Sequence, residues 1–167
     1  MVLDIEREPV NGVTDDACIF CAIVRGDAPA EIVLDDPASI AFLDRRPLLP
    51  GHVLLVPRTH VATLPDLPVA EIGPLFTLAQ RLTRAVPQAT DADGAFVAIN
   101  NVVSQSVPHL HIHIVPRRLG DRLFSRNLAW ARRPYRDDDE MRNIANTIRS
   151  ALRDDERTAP VDGVTRG

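Results

Sequence analysis

Hydrophobic residues in this chain fall into short blocks with two distinct periods. Glu31 to Asp35 and Ser39 to Asp44 are brief apolar runs, and Asp35-Asp36-Pro37 between them supplies turn formers. That is the pattern of an antiparallel hairpin. A second turn, Pro47-Leu48-Leu49-Pro50-Gly51, leads into His52 to Pro57, which reads as a buried strand. From Val69 to Val86 the period changes. Ile72, Leu75, Phe76, Ala79, Leu82 and Val86 recur at helical spacing, with Gln80, Arg81 and Arg84 on the opposite side. Pro74 is tolerable there only near the first turn or as a kink. Ala95 to Asn100 and Pro108 to Pro116 read as two further strands. Met141, Ile144, Ile148 and Leu152 mark a second helix, with Asp137 and Glu140 at capping-box spacing behind Pro134.

The sum is an α+β domain with an antiparallel sheet of about five strands and two main helices. Residues 1–16 read as a flexible tail, 17–157 as a single domain closed by a C-terminal helix, and 158–167 as a disordered tail. There is no internal repeat and no low-complexity stretch.

Composition narrows the chemistry. At 167 residues and 45% hydrophobic, the chain suits one domain with a real core. No apolar run approaches the length of a membrane span, and MVLDIEREPV lacks the basic start and apolar stretch of a signal peptide. A cytoplasmic protein without a membrane partner is the expectation. The net charge of -4 argues against a general nucleic-acid coat. All 19 basic residues are arginine, which excludes any Schiff-base or P-loop lysine mechanism. Cys18 and Cys21 stand too close to staple a secreted fold, and a thioredoxin-type motif would need a parallel context that this chain lacks. Metal ligation and reduced core thiols both stay open for the pair.

Three of the five histidines lie in Pro108 to Pro116 at strict alternation. Alternate side chains of a strand share a face, so His109, His111 and His113 form a row, successive ones roughly 6.5 to 7 Å apart at the backbone. Leu110, Ile112 and Ile114 then enter the core on the other side. Two chemistries use such a row: imidazoles can ligate zinc, or one can attack a phosphorus or acyl centre while its neighbours stabilise the developing charge.

Gln105 to Val115, QSVPHLHIHIV, resembles the signature of the histidine triad superfamily. Ala41 to Pro57, AFLDRRPLLPGHVLLVP, resembles the segment that forms the nucleoside side of that family's pocket, and the likeness runs from about Cys18 to Asp121. The wording PLLPGHVL and PRRLGD is closer to the fragile-histidine-triad, dinucleoside-polyphosphate branch than to the Hint branch. The resemblance implies a HIT-like fold, a homodimer, a purine nucleotide substrate and no organic cofactor. It implies a hydrolase or transferase in which His111 takes the α-phosphate as a covalent nucleotidyl-histidine. His113 would contact the phosphate or the bridging atom, and Gln105 and Ser106 would sit beside the phosphate. Asp44 would hold the ribose hydroxyls; Ile19, Phe20, Ile23 and Phe42 would wall the base pocket. The loop Asn100-Asn101-Val102-Val103-Ser104 is shorter than usual and has no glycine, with Asn101 the favoured phosphate-side asparagine.

The same resemblance groups Cys18 and Cys21 with His60 and His109 as one structural zinc site, leaving His52 without an assignment. Phosphorolysis, a nucleotide sensor with little activity, and a zinc hydrolase using all three triad histidines are the competing readings. Finally, seven arginines between Arg117 and Arg136, with Phe124, Trp130 and Tyr135, read either as a solvated, partly dimer-covered segment or as a basic, aromatic lip for a polyphosphate chain.

Overall fold

Five antiparallel strands form one sheet in the order β1-β2-β3-β5-β4, in a computed structural model that describes residues 15–124 and 131–158. The strands are β1 (Ile32–Asp35), β2 (Ser39–Leu43), β3 (Val53–Pro57), β4 (Gly94–Ile99) and β5 (Ile112–Arg117). The helices are α1 (Ile19–Arg25), α2 (Val69–Thr90) and α3 (Asp138–Thr158). The α+β HIT-like sheet and the two long helices therefore stand as expected. The boundaries shift: Asp15–Ala17 make a 3-10 turn, α3 runs through Thr158, and the remainder of both expected tails lies outside the described residues. No helix among the described residues is long and apolar enough to cross a membrane.

The period-2 pattern assigns each sheet face a task. Ala41, Leu43, Val53, Leu55, Ile112 and Ile114 all join the main core with the buried faces of α2 and α3. Their alternates Ile40, Phe42, Leu54 and Val56 join a second cluster with Phe20, Cys18 and Cys21 from α1 and its cap. Covered on both faces, β2 and β3 are buried at every position, which is why His52 to Pro57 lacks alternation in the sequence. The register then sets a row across the second face: Phe42 pairs with Leu54, Leu54 with His113, and His113 with Ala98.

Two readings of the helices need correction. In α2 the buried stripe is Leu75, Leu78, Ala79, Leu82, Ala85 and Val86, while Ile72 and Phe76 are exposed. Apolar residues surround much of this helix, and the side that α3 happens to meet decides the stripe. In α3 the cap is half a box. Asp137 Oδ1 accepts the Glu140 N–H at 2.7 Å, but the Glu140 carboxylate turns to the Arg136 N–H at 2.6 Å.

Gly51 shows how tightly the turn before β3 is held. Its φ is +94°, and a Cβ there would lie 2.6 Å from Thr90 Cγ2. Gly51→Ala is expected to lower the unfolding free energy by about 2 kcal/mol or more, from left-handed strain plus overpacking. Urea denaturation measures it; a loss under about 0.5 kcal/mol would show that the turn relaxes freely and does not fix His52.

Candidate active site

Strand pairing of β5 begins only at Ile112, so His111 lies just ahead of the ladder and His109 in the bend before it, where its N–H donates to the Val107 carbonyl at 2.8 Å. The row of imidazoles nevertheless forms. His111 and His113 have ring centroids 4.7 Å apart, and Phe20 meets both His109 (5.9 Å) and His111 (5.3 Å) edge-on. His109 and His111 are buried.

Hydrogen bonds fix which nitrogen of each ring carries the proton, because several partners can act in one sense only. The Pro57 carbonyl accepts from His109 Nε2 at 2.8 Å, and the His109 carbonyl accepts from His111 Nδ1 at 2.7 Å. His111 Nε2 is therefore the unprotonated nitrogen of a neutral ring. On the next strand, the Leu48 N–H donates to His52 Nδ1 at 3.3 Å, so His52 Nε2 carries a proton and donates it to His113 Nδ1 at 3.0 Å. The proton of His113 is thereby placed on Nε2, a buried nitrogen that finds no partner among the described residues. His113 lines the cavity.

Burial, reinforced by neighbouring positive charge, pushes both His52 and His113 down to about 3. Burial also lowers His111, partly offset by its bond to the His109 carbonyl and by Asp44. The 3.4 Å contact between His52 Nδ1 and Asp44 Oδ2 is accordingly not an ion pair. His52, the one histidine without a role in the sequence reading, is the group that orients His113. Its signal in the sequence was weak, since its partner lies 61 positions away.

At the other end of the row, Cys18, Cys21, His60 and His109 bring four donor atoms within 4.8 Å of one another. His109 Nδ1 lies 3.6 Å from Cys18 Sγ and 3.5 Å from Cys21 Sγ, and His60 Nδ1 lies 3.1 Å from Cys21 Sγ. Sulfur and nitrogen ligands of tetrahedral zinc stand about 3.6 Å apart, so the set fits that ion. The proton of His109 is held on Nε2 by the Pro57 carbonyl, so Nδ1 is the unprotonated nitrogen that faces the two sulfurs. Because His109 faces the thiols while His111 and His113 face the cavity, the three triad imidazoles do not converge. A zinc hydrolase built on all three is inconsistent with this geometry.

The cavity beside His111 and His113 measures about 670 Å³, within the range of small-molecule sites. Ile19, Phe20, Ile23, Phe42 and Ser106 line it. Asp44 also lines it: its Oδ1 accepts the Arg46 N–H at 2.8 Å, while Oδ2 stands 3.7 Å from Arg132 Nη1. Two expected residues stand elsewhere. Gln105 spends its side chain on the Ala62 carbonyl (2.6 Å) and the Val102 N–H (2.9 Å), and Asn101 Oδ1 accepts the Leu64 N–H at 2.8 Å. Neither lines the cavity; Asn100 and Ser104 do. Val102 and Ser104 adopt φ of +67° and +62°, doing without glycine what this short loop requires.

Of the expected basic lip, Arg117 is bound to Asp121 and lies over the Phe124 ring (4.6 Å), and Arg118 donates to the Thr90 and Asp91 carbonyls. Among the described arginines of that segment, Arg132 is the one that reaches the cavity, 3.7 Å from Asp44 Oδ2. Trp130 lies outside the described residues.

With this geometry in place, comparison with known proteins is decisive about kinship. The HIT domain pattern matches residues 25–120. The chain belongs to the HIT domain family. An uncharacterized HIT-like protein of Mycobacterium tuberculosis is 39% identical to this HIT protein over 108 residues, 64% of this chain and 75% of that one. The adenylylsulfatase HINT3 of Arabidopsis thaliana is 30% identical over 137 residues, 81% of this chain and 69% of that one. Two yeast relatives also carry named activities. The adenosine 5′-monophosphoramidase of Saccharomyces cerevisiae is 36% identical across 62% of this chain and 65% of its own. The bis(5′-nucleosyl)-tetraphosphatase of Schizosaccharomyces pombe is 38% identical across 53% and 49%. Among solved structures, a Zn-bound histidine triad family protein from Mycobacterium smegmatis superposes with a TM-score of 0.75 at 35% identity, covering 86% of this chain and 99% of that one.

The neutral histidine pair of this HIT protein has a consequence for stability. Below pH about 6.5 the unfolded chain protonates His52 and His113, whereas the folded chain refuses both protons until about pH 3. Their contribution is complete above pH 6.5 and declines as pH falls, by up to about 1.4 kcal/mol per pH unit for each histidine. The urea midpoint is expected to drop between pH 6.5 and 5, and His52→Asn to make that drop shallower. A midpoint flat over this interval in the wild type would refute the buried neutral pair.

Proposed function

We propose that this HIT protein is a cytoplasmic nucleotide hydrolase that cleaves at the α-phosphate of nucleoside 5′-phosphate derivatives through a covalent nucleotidyl-histidine on His111. The observation that carries the reading is the set of fixed tautomers. His111 presents a lone pair on Nε2, and His113 presents an unpartnered N–H beside it. The named activities of the relatives support the substrate class, because all three act on adenosine or nucleosyl phosphate derivatives.

In the first step His111 Nε2 attacks the α-phosphorus, and the bond from phosphorus to the leaving group breaks. The departing phosphate or sulfate oxygen keeps the bonding pair and accepts a hydrogen bond from His113 Nε2–H, which His52 aims from behind. Water then displaces the imidazole, giving the nucleoside monophosphate and releasing a proton to solvent. Ser106 and Asn100 line the phosphate end; Gln105 acts one step back by holding the loop that carries them. The purine lies between Ile19, Phe20, Ile23 and Phe42, and its ribose hydroxyls meet Asp44. Anionic leaving groups need no added proton, so dinucleoside polyphosphates are the favoured substrates, and transfer to phosphate in place of water is the alternative second step.

The cysteines and His60 and His109 would hold structural zinc. When bound, zinc supplies a cross-link between the start of α1 and the segment carrying the triad, with no coordination position for substrate. Exposed Val69, Ile72 and Phe76 along one side of α2, together with exposed Val97 on the edge strand β4, support a homodimer closed over these surfaces.

The primary test is a panel of diadenosine triphosphate, diadenosine tetraphosphate, adenosine 5′-phosphosulfate and an AMP phosphoramidate, each with and without phosphate. Wild type should release nucleotide and leave a phosphorus label on protein after quenching at high pH. His111→Asn should lose more than 10³-fold in kcat while still binding AMP, and His52→Asn should lower kcat with little change in AMP affinity. Turnover retained in His111→Asn would sink the covalent mechanism. Chelation is expected to lower the melting temperature before it lowers initial turnover; immediate loss of turnover at an unchanged melting temperature would instead assign the metal to catalysis.

A further inference from the structure

The arginines of this chain are, for the most part, neutralised in place. Arg81 and Arg84 pair with Asp155 and Glu156, Arg136 with Glu140, and Arg149 with Glu31. Arg45 and Arg46 differ. Both are exposed, both line the cavity mouth, and among the described residues neither guanidinium forms a hydrogen bond or ion pair. A third arginine, Arg132, joins them from the far end of the chain. Its Nη1 donates to the Arg46 carbonyl and stands 3.7 Å from Asp44 Oδ2. The segment carrying it is pinned, because the Arg133 N–H donates to the Pro47 and Leu48 carbonyls at 3.2 Å each.

Charge at this mouth is therefore lopsided. Among the described residues Asp44 is the one carboxylate that lines the cavity, and Arg132 balances it, which leaves Arg45 and Arg46 without a compensating charge there. They follow directly on Asp44, whose Oδ1 is already taken by the Arg46 N–H and whose Oδ2 receives no donated proton from His52, since His52 Nδ1 is itself an acceptor. One ribose hydroxyl can satisfy Oδ2. The adjacent ribose position then faces the arginines, and a neutral hydroxyl would leave their forks unused.

We infer that Arg45, Arg46 and Arg132 form an anion subsite at the ribose end of the cavity, built to take a phosphate esterified to the 2′ or 3′ hydroxyl of the bound nucleotide. This rests on the nucleotide reading above, with Asp44 at the ribose. It adds a specificity the triad cannot supply: a ribose-phosphorylated nucleotide is preferred over its unphosphorylated counterpart. The cations are exposed, so the preference is moderate and screened by salt.

Isothermal titration of the wild type with AMP, adenosine 3′,5′-bisphosphate, adenosine 2′,5′-bisphosphate and ADP tests this, with the Arg45→Ala/Arg46→Ala double variant alongside. One of the two bisphosphates should bind about tenfold tighter than AMP at low salt, and the ratio should fall toward one in the double variant or in high salt. AMP affinity should change less than about twofold in that variant, whose altered residues are exposed and leave the fold intact. The isomer that gains identifies the ribose position. AMP bound with no gain for either bisphosphate overturns the subsite alone, as does a gain that survives the double substitution. An arginine-dependent gain for ADP and not for the bisphosphates assigns the rim to the 5′ chain and likewise overturns it. Absence of AMP binding to the wild type overturns the nucleotide reading beneath it.

Discussion

Imidazoles buried side by side can persist in one fold only if they are uncharged and each ring proton has a defined place. Most of what is distinctive in this HIT protein follows from that constraint. His109, His111 and His52 are almost wholly buried, and His113 is pressed between the rings of His52 and His111. Charging His52, His111 or His113 would require solvation that the site withholds. The backbone resolves the matter with three groups of fixed sense: the Pro57 carbonyl, the His109 carbonyl and the Leu48 N–H. Each settles one tautomer, and the direct bond from His52 to His113 transmits the last of them across two strands.

The same row joins two chemically different ends. At one end His109 faces two thiols and His60, a donor set suited to a closed tetrahedral ion; at the other His113 faces a cavity. His109 belongs to both, since its side chain joins the sulfur and nitrogen donor set and its carbonyl fixes His111. Phe20 packs edge-on against His109 and His111 from α1, whose cap and first turn carry Cys18 and Cys21. A change in how α1 is held would thus be felt through packing at His111.

Much of this was legible in the chain. Alternation of imidazole with leucine and isoleucine placed the row and the core face correctly, because a strand has one way to partition its two sides. The hairpin, the buried third strand and the second long helix were equally readable from period and turn chemistry. The stripe of α2 was not: Ile72 and Phe76 fit the helical period as well as Leu78 and Ala85 do, and only the position of α3 distinguishes them. The loop after β4 went the same way. Asn100 and Asn101 are neighbours of identical chemistry, and the turn through Val102 and Ser104 decides which one faces the cavity.

What the sequence determined by itself is therefore the local inventory: a histidine row on one strand face, a cysteine pair at a helix start, and an aspartate before a proline-glycine turn. Each depends on neighbours within a few residues, where covalent geometry leaves few choices. Tertiary structure decided the pairings between distant segments: His52 with His113, Cys18 and Cys21 with His60 and His109, and Arg132 with Asp44. Those depend on strand register and on where a connecting segment crosses the surface, and they are fixed by the packing of the whole core rather than by the residues that meet.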